Sequence, residues 1–195
     1  MALNDHRKLA VRTALACALL AGVPALKGDG LGPALVLPPG AEDAGEITVG
    51  IMVNRLGDPY LFGNLGLCLD RGGSVTVTQV GFGETLGRLD VDGFTFRPFH
   101  RPIDSDGIGL GDPVSMERRG LPANRSVSEV CQPEDSPRVE FAELVVQVSR
   151  RTEKSAFGRG VVVTYLSDGV ERRLHIPFNI VLCGPRRDLP EECDG

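Results

Sequence analysis

Three segments near the C-terminus constrain this chain most. Residues 139–150, 160–167 and 171–183 are short, rich in Val, Leu, Ile and Thr, and separated by Gly, Pro, Asp or Ser. That composition and length belong to β-strands rather than helices. Ser167, Asp168 and Gly169 supply a tight turn between the last two. In the last segment Leu174, Ile176, Phe178, Ile180 and Leu182 fall on every second position and should share the core face. His175, Asn179 and Cys183 then point away from it.

The same period runs through the middle of the chain. Ile47, Val49, Ile51 and Val53 alternate with Thr48, Gly50, Met52 and Asn54, and Arg55 to Pro59 then turns the chain. Leu65, Leu67 and Leu69 form the next strand. Arg71 to Gly73 closes it, with residues 74–82 predicted as its hairpin partner. The apolar parity of that partner changes from Val75 and Val77 to Val80 and Phe82, which predicts a bulge. Residues 86–99 read as a strand split near Asp92 and Gly93. Residues 100–132 read as a long loop with a short strand at 114–117, and loops of that length are commonly functional or mobile. No segment after residue 26 carries a helical period.

About seven or eight strands without alternating helices predict an all-β, two-sheet antiparallel sandwich. The resemblance to immunoglobulin-like domains is one of architecture only. Trp is absent and Cys68 lies three residues before a turn, so the Cys–Trp–Cys arrangement of antibody domains is missing.

The first 25 residues read as an export signal. Arg7, Lys8 and Arg12 precede an uncharged stretch of 14 residues, 13–26, too short to span a bilayer. Val23, Pro24 and Ala25 place a cleavage point after Ala25. Cys17 sits in a loose lipobox-like context that would make it a lipid attachment site, whereas an apolar stretch that continues beyond it favours its leaving with the signal. Residues 26–45 read as a flexible leader and 46–195 as the domain. The mature chain is then a secreted or envelope protein without a transmembrane span.

Cys68, Cys131, Cys183 and Cys193 remain after cleavage, an even set that implies disulfides in an oxidising compartment. Sequence permits three pairings. The one expected here is Cys68–Cys131, pinning the long loop, with Cys183–Cys193 closing the tail 184–195. Parity places Cys68 and Cys183 on outward faces, as surface staples.

Removing residues 1–25 changes 21 basic and 26 acidic residues into a net charge of about −7, which argues against nucleic-acid or anionic membrane partners. The low aromatic content disfavours carbohydrate or base stacking. Two histidines in the mature chain, and no paired C-x-x-C spacing, disfavour a zinc cage. No catalytic signature appears. Asp104, Asp106 and Asp112 lie on a Gly-rich stretch that could offer oxygen ligands to Ca²⁺, but Pro102 and Pro113 occupy the positions where a calcium-binding loop needs its first and last ligands. The reading that follows is a non-enzymatic binding or interaction module with an unknown protein or envelope partner and no cofactor. The alternatives are a secreted hydrolase built around His100, Asp104 and Asp106, and a calcium-stabilised structural envelope protein.

Overall fold

The computed structural model describes residues 32–41, 45–52, 54–100, 108–133, 136, 140–185 and 193, without the side chain of His100. The described residues form eleven strands: β1 Leu35–Val36, β2 Ile47–Ile51, β3 Tyr60–Leu69, β4 Val75–Leu86, β5 Leu89–His100, β6 Leu110–Asp112, β7 Ser126–Val127, β8 Glu140–Arg150, β9 Ala156–Ser167, β10 Val170–Ile176 and β11 Phe178–Leu182. They make two sheets. One runs β1-β3-β8-β5, with β6 also against β3; the other runs β2-β11-β9-β4-β7, with β10 also against β9. The all-β sandwich expected from the strand pattern is the fold. Its strand pairs are antiparallel except β2 with β11, which is parallel.

The core lies between the sheets. Phe62, Leu65, Leu67, Leu144, Val146 and Val148 meet Val75, Val77, Val161, Val163, Ile180 and Leu182. Burial of each such side chain contributes roughly 1.5–3 kcal/mol before the cost of ordering it. The bulge expected in β4 is present: its register against β9 shifts between Val77 and Gln79, which keeps Val80 in the core with Val75 and Val77.

Four local expectations need correction. β3 and β4 are not a hairpin. They belong to opposite sheets, and the glycine turn between them is a corner. Local pattern marks a turn but does not say with which strand each arm pairs. β5 is not split at Asp92 and Gly93 but carries a bulge, its register against β8 shifting between Val91 and Gly93. The short strand of the long loop is β6, upstream of the turn residues 116–120 that occupy the predicted strand. The last strand is interrupted at Pro177, which has no N–H to donate. Ile176 opposes Val161 while Ile180 opposes Gly158, so the chain carries one extra residue there. Gly160, at φ 59°, takes up the irregularity on β9; a Cβ at that position would collide with the ring of His175.

The predicted leader is also partly structural. Leu35 is 2% exposed and joins the core. Its N–H donates to the Tyr165 hydroxyl (3.2 Å), while Ala34 and Asp70 exchange bonds across the corner. Ser167 Oγ donates to the carbonyl of Pro33 (2.7 Å), so both sheets hold this segment. Ala34 to Leu37 are four consecutive apolar residues between prolines, too short a stretch to show a period.

Candidate functional site

The outward face of the five-stranded sheet is where the chain folds over itself. The outward side of β8 is mixed, with Val145 between Glu143 and Gln147, and Val145 needs cover. Ile108, Val114, Met116 and Leu121 supply it, packing on Leu61 and Val145. Hydrogen bonds fix the cover in register. Met116 N–H donates to Gln147 Oε1 (2.8 Å), Phe96 N–H to Asn124 O (3.0 Å), and Thr95 Oγ1 to Pro122 O. Gly63 allows the approach: its N–H donates to Gly109 O (3.3 Å), and a Cβ there would strike Glu143 and Ile108.

Beneath this cover Glu143 is fully buried. It pairs with Arg97 and accepts the Asn64 N–H at 2.7 Å. Arg150 is buried too, with Nε donating to Asn54 Oδ1 (2.9 Å) and Nη1 to the carbonyl of Thr152. Sequence reasoning marked neither as buried, Arg150 reading with Arg151 as one of several arginine pairs on a solvated face. For Glu143 the available signal was its place between Ala142 and Leu144 inside an apolar strand.

Most of residues 108–132, expected as a mobile functional loop, is therefore a packed layer. It continues through β7, which pairs with β4 of the opposite sheet. Residues 129–131 then run beside the end of β3: Leu69 N–H donates to Glu129 O (2.8 Å), and Cys131 N–H to Leu69 O (2.9 Å).

Cys68 is bonded to Cys131 and Cys183 to Cys193, the two pairs the sequence pointed to. Their setting differs from the surface staples anticipated. Cys68 is 1% and Cys183 3% exposed. Neither joins the central core, so the outward parity holds, but other chain segments cover both. Cys183 and Cys193 pack with Phe157 and Val181 in a separate apolar cluster. Parity tells which face a side chain leaves by, and says nothing of what is folded against that face.

Beside the first disulfide lies a cleft of about 540 Å³. Pro38 and Pro39 form one wall, Gln132 and Pro133 the other, and Cys68 and Phe141 lie between them. Phe141 is stacked on Phe99 with centroids 4.6 Å apart. Asn64, at φ 60°, and Glu140 bring polar groups to the rim. Through Ala41, Asn64 and Gly66 the cleft continues into an apolar gap of about 170 Å³ between the sheets, lined by Leu37, Ile47, Leu65, Leu110, Pro177 and Phe178. Ile47 and Leu110 remain 44% and 43% exposed at its mouth. Glu140 is the one charged residue among the described residues lining either space.

The residues proposed for calcium or hydrolysis are not brought together by anything described. Asp104, Asp106 and the side chain of His100 lie outside the described residues. Asp112 is on β6, where its Oδ2 accepts the Gly109 N–H at 3.2 Å in a local turn. Among the described residues no group of three or more His, Cys, Asp or Glu could hold a metal ion. No helix among them is long and apolar enough to cross a membrane.

Neither a protein-family model nor a curated protein matches the chain. A solved structure of a mutant of CfaE, the CFA/I adhesin of enterotoxigenic E. coli, is similar at 11% identity over 78% of this chain, with a TM-score of 0.30. This chain spans 48% of that adhesin. A likeness of that degree carries no argument about function, so the cleft itself must carry it.

Proposed function

We propose that this chain is an exported, non-enzymatic binding module of the envelope or extracellular space, and that it takes a protein or envelope component in the cleft between Pro38 and Phe141. The observation that carries this reading is how the cleft is built. One wall follows directly from β1, which is paired to β3. The other follows the Cys68–Cys131 disulfide and the backbone bonds of residues 129–131. An aromatic stack lies between them. A site whose walls are already fixed loses little freedom when a ligand enters, which favours binding. Two disulfides and the N-terminal sequence support export.

Two variants test it. Phe141→Ala removes the ring between the walls, and Pro39→Arg crowds the exposed rim without touching the core. Wild-type protein immobilised against a host envelope extract should retain a component that both variants lose by about tenfold, with melting temperature followed in parallel. Equal retention by well-folded variants overturns the reading. The intact mass of protein recovered from its host checks export: residues 1–25 should be gone and each disulfide should leave it two hydrogens lighter.

A further inference from the structure

The gap at the end of the cleft has one side formed by an unpaired strand edge. β2 ends the six-stranded sheet, and among the described residues no strand pairs with its outer side. In its parallel register with β11, the Ile47 N–H donates to Pro177 O and the Ile51 carbonyl accepts from Cys183 N–H. Alternation along the strand therefore turns the N–H and C=O groups of Thr48 and Gly50 outward. Ile47 stands opposite Phe178, on the core-facing side, yet is 44% exposed. Leu110 faces the same gap from the other sheet and is 43% exposed. A Cβ on Gly111 of β6 would strike Ile51, so β6 approaches one end of β2 while the Ile47 end stays open.

We infer that β2 receives an extended, apolar and cationic peptide segment of a partner protein as an added strand. This rests on the binding reading above and names its ligand class. Each attribute has its own source. The outward backbone groups of Thr48 and Gly50 require an extended chain, because only that spacing meets alternate donors and acceptors. The apolar gap between Ile47, Leu65, Leu110 and Phe178 takes apolar side chains from one face of that strand. The charge follows from complementarity. Glu46 precedes β2, no Lys or Arg is among the described residues lining the gap, and the whole chain carries a net charge of −5. Asn179 Nδ2 donates to both Glu46 Oε1 (2.8 Å) and Thr48 Oγ1 (3.0 Å), holding the carboxylate beside the edge.

The probe is a short capped peptide alternating lysine and valine, titrated against the whole protein. A glutamate–valine counterpart and two forms N-methylated on one or the other alternate set of residues serve as comparisons. Binding should appear with the lysine peptide and fall about tenfold with the glutamate one. N-methylation of one set, the set facing β2, should abolish it and that of the other should not. Hydrogen exchange at the Thr48 and Gly50 amides should slow on binding. Ile47→Ser and Leu110→Ser, both at exposed positions, should each weaken binding about tenfold. Lack of binding by the lysine peptide, equal binding of the glutamate peptide or of both N-methylated forms, or indifference to the two serine variants overturns the inference. Binding that Phe141→Ala abolishes and Ile47→Ser leaves intact removes the added strand while leaving the cleft in place.

Discussion

The five-stranded sheet turns Leu61, Thr95, Glu143 and Val145 away from the core, and the chain folds residues 108–124 over them. The six-stranded sheet turns Thr76, Thr78, Gly83, Arg173 and His175 away and leaves them exposed, and only at its β11 end does the disulfide-closed tail cover Phe157 and Val181. Both sheets meet the shared core with the same alternation of Val, Leu and Phe, so the inward faces do not distinguish them. The outward composition does. β8 places Phe141 and Val145 on its outward face, where water would penalise them, whereas β4 alternates Val with Thr and needs no second layer. Binding surfaces then arise at the margins of the second layer: the cleft lies at its disulfide-pinned end, and the apolar gap lies between Leu110 of that layer and the β2 edge.

Losing a disulfide should do most to break this contrast. Cys68–Cys131 spans 63 residues and anchors the covering layer; Cys183–Cys193 spans 10 and closes only the tail. Chain entropy gives about 4 kcal/mol for the first and about 3 kcal/mol for the second. Replacing each pair by alanines should therefore lower the denaturation midpoint more for Cys68–Cys131, as followed by urea titration. Greater loss from the tail pair would show that the covering layer does not depend on its covalent anchor.

The buried ion pair comes next. Glu143→Leu removes the carboxylate that pairs with Arg97 and accepts the Asn64 N–H, and should cost about 3 kcal/mol. Thr76→Ala on the bare face should stay within about 0.5 kcal/mol. Similar midpoints for the two variants would erase the distinction between covered and open faces.

The smallest effect belongs to the corner between the sheets. The Arg71 guanidinium, then the Ala34 N–H, hold the Asp70 carboxyl below its ordinary value of 3.8. A carboxylate with its pKa depressed by folding adds stability above the unfolded pKa, and that stability is lost as pH falls through the folded one. Asp70→Asn should therefore destabilise slightly at neutral pH, by under about 1 kcal/mol for so exposed a pair. Thermal melts should show the deficit shrinking below pH 3.8. A deficit unchanged in acid would assign the effect to the neutral hydrogen bond with Ala34.

Much of this was legible in the chain. The parity of Leu174 to Leu182 runs unbroken past Pro177 because that face must stay buried, and β9 opposite takes the shift at Gly160, between Ala156 and Val161. The parity change in β4 announced its bulge for the same reason: a strand that must keep one face buried cannot shift by one residue unmarked. Leu35 and the cover over Val145 were not legible, since their partners lie far along the sequence and have no local period. Glu143 and Arg150 looked like ordinary charged residues because burial is a property of what stands opposite.

By itself, then, the sequence determined the all-β class, the core-facing residues and the cysteine pairs to consider, all of which follow from short-range spacing. Only the tertiary structure decided which turns were corners, which outward face was covered and where a cleft and an unpaired edge were left. Those outcomes depend on contacts between distant segments, and period-two alternation is the same for a strand that ends in solvent as for one that ends beneath another layer.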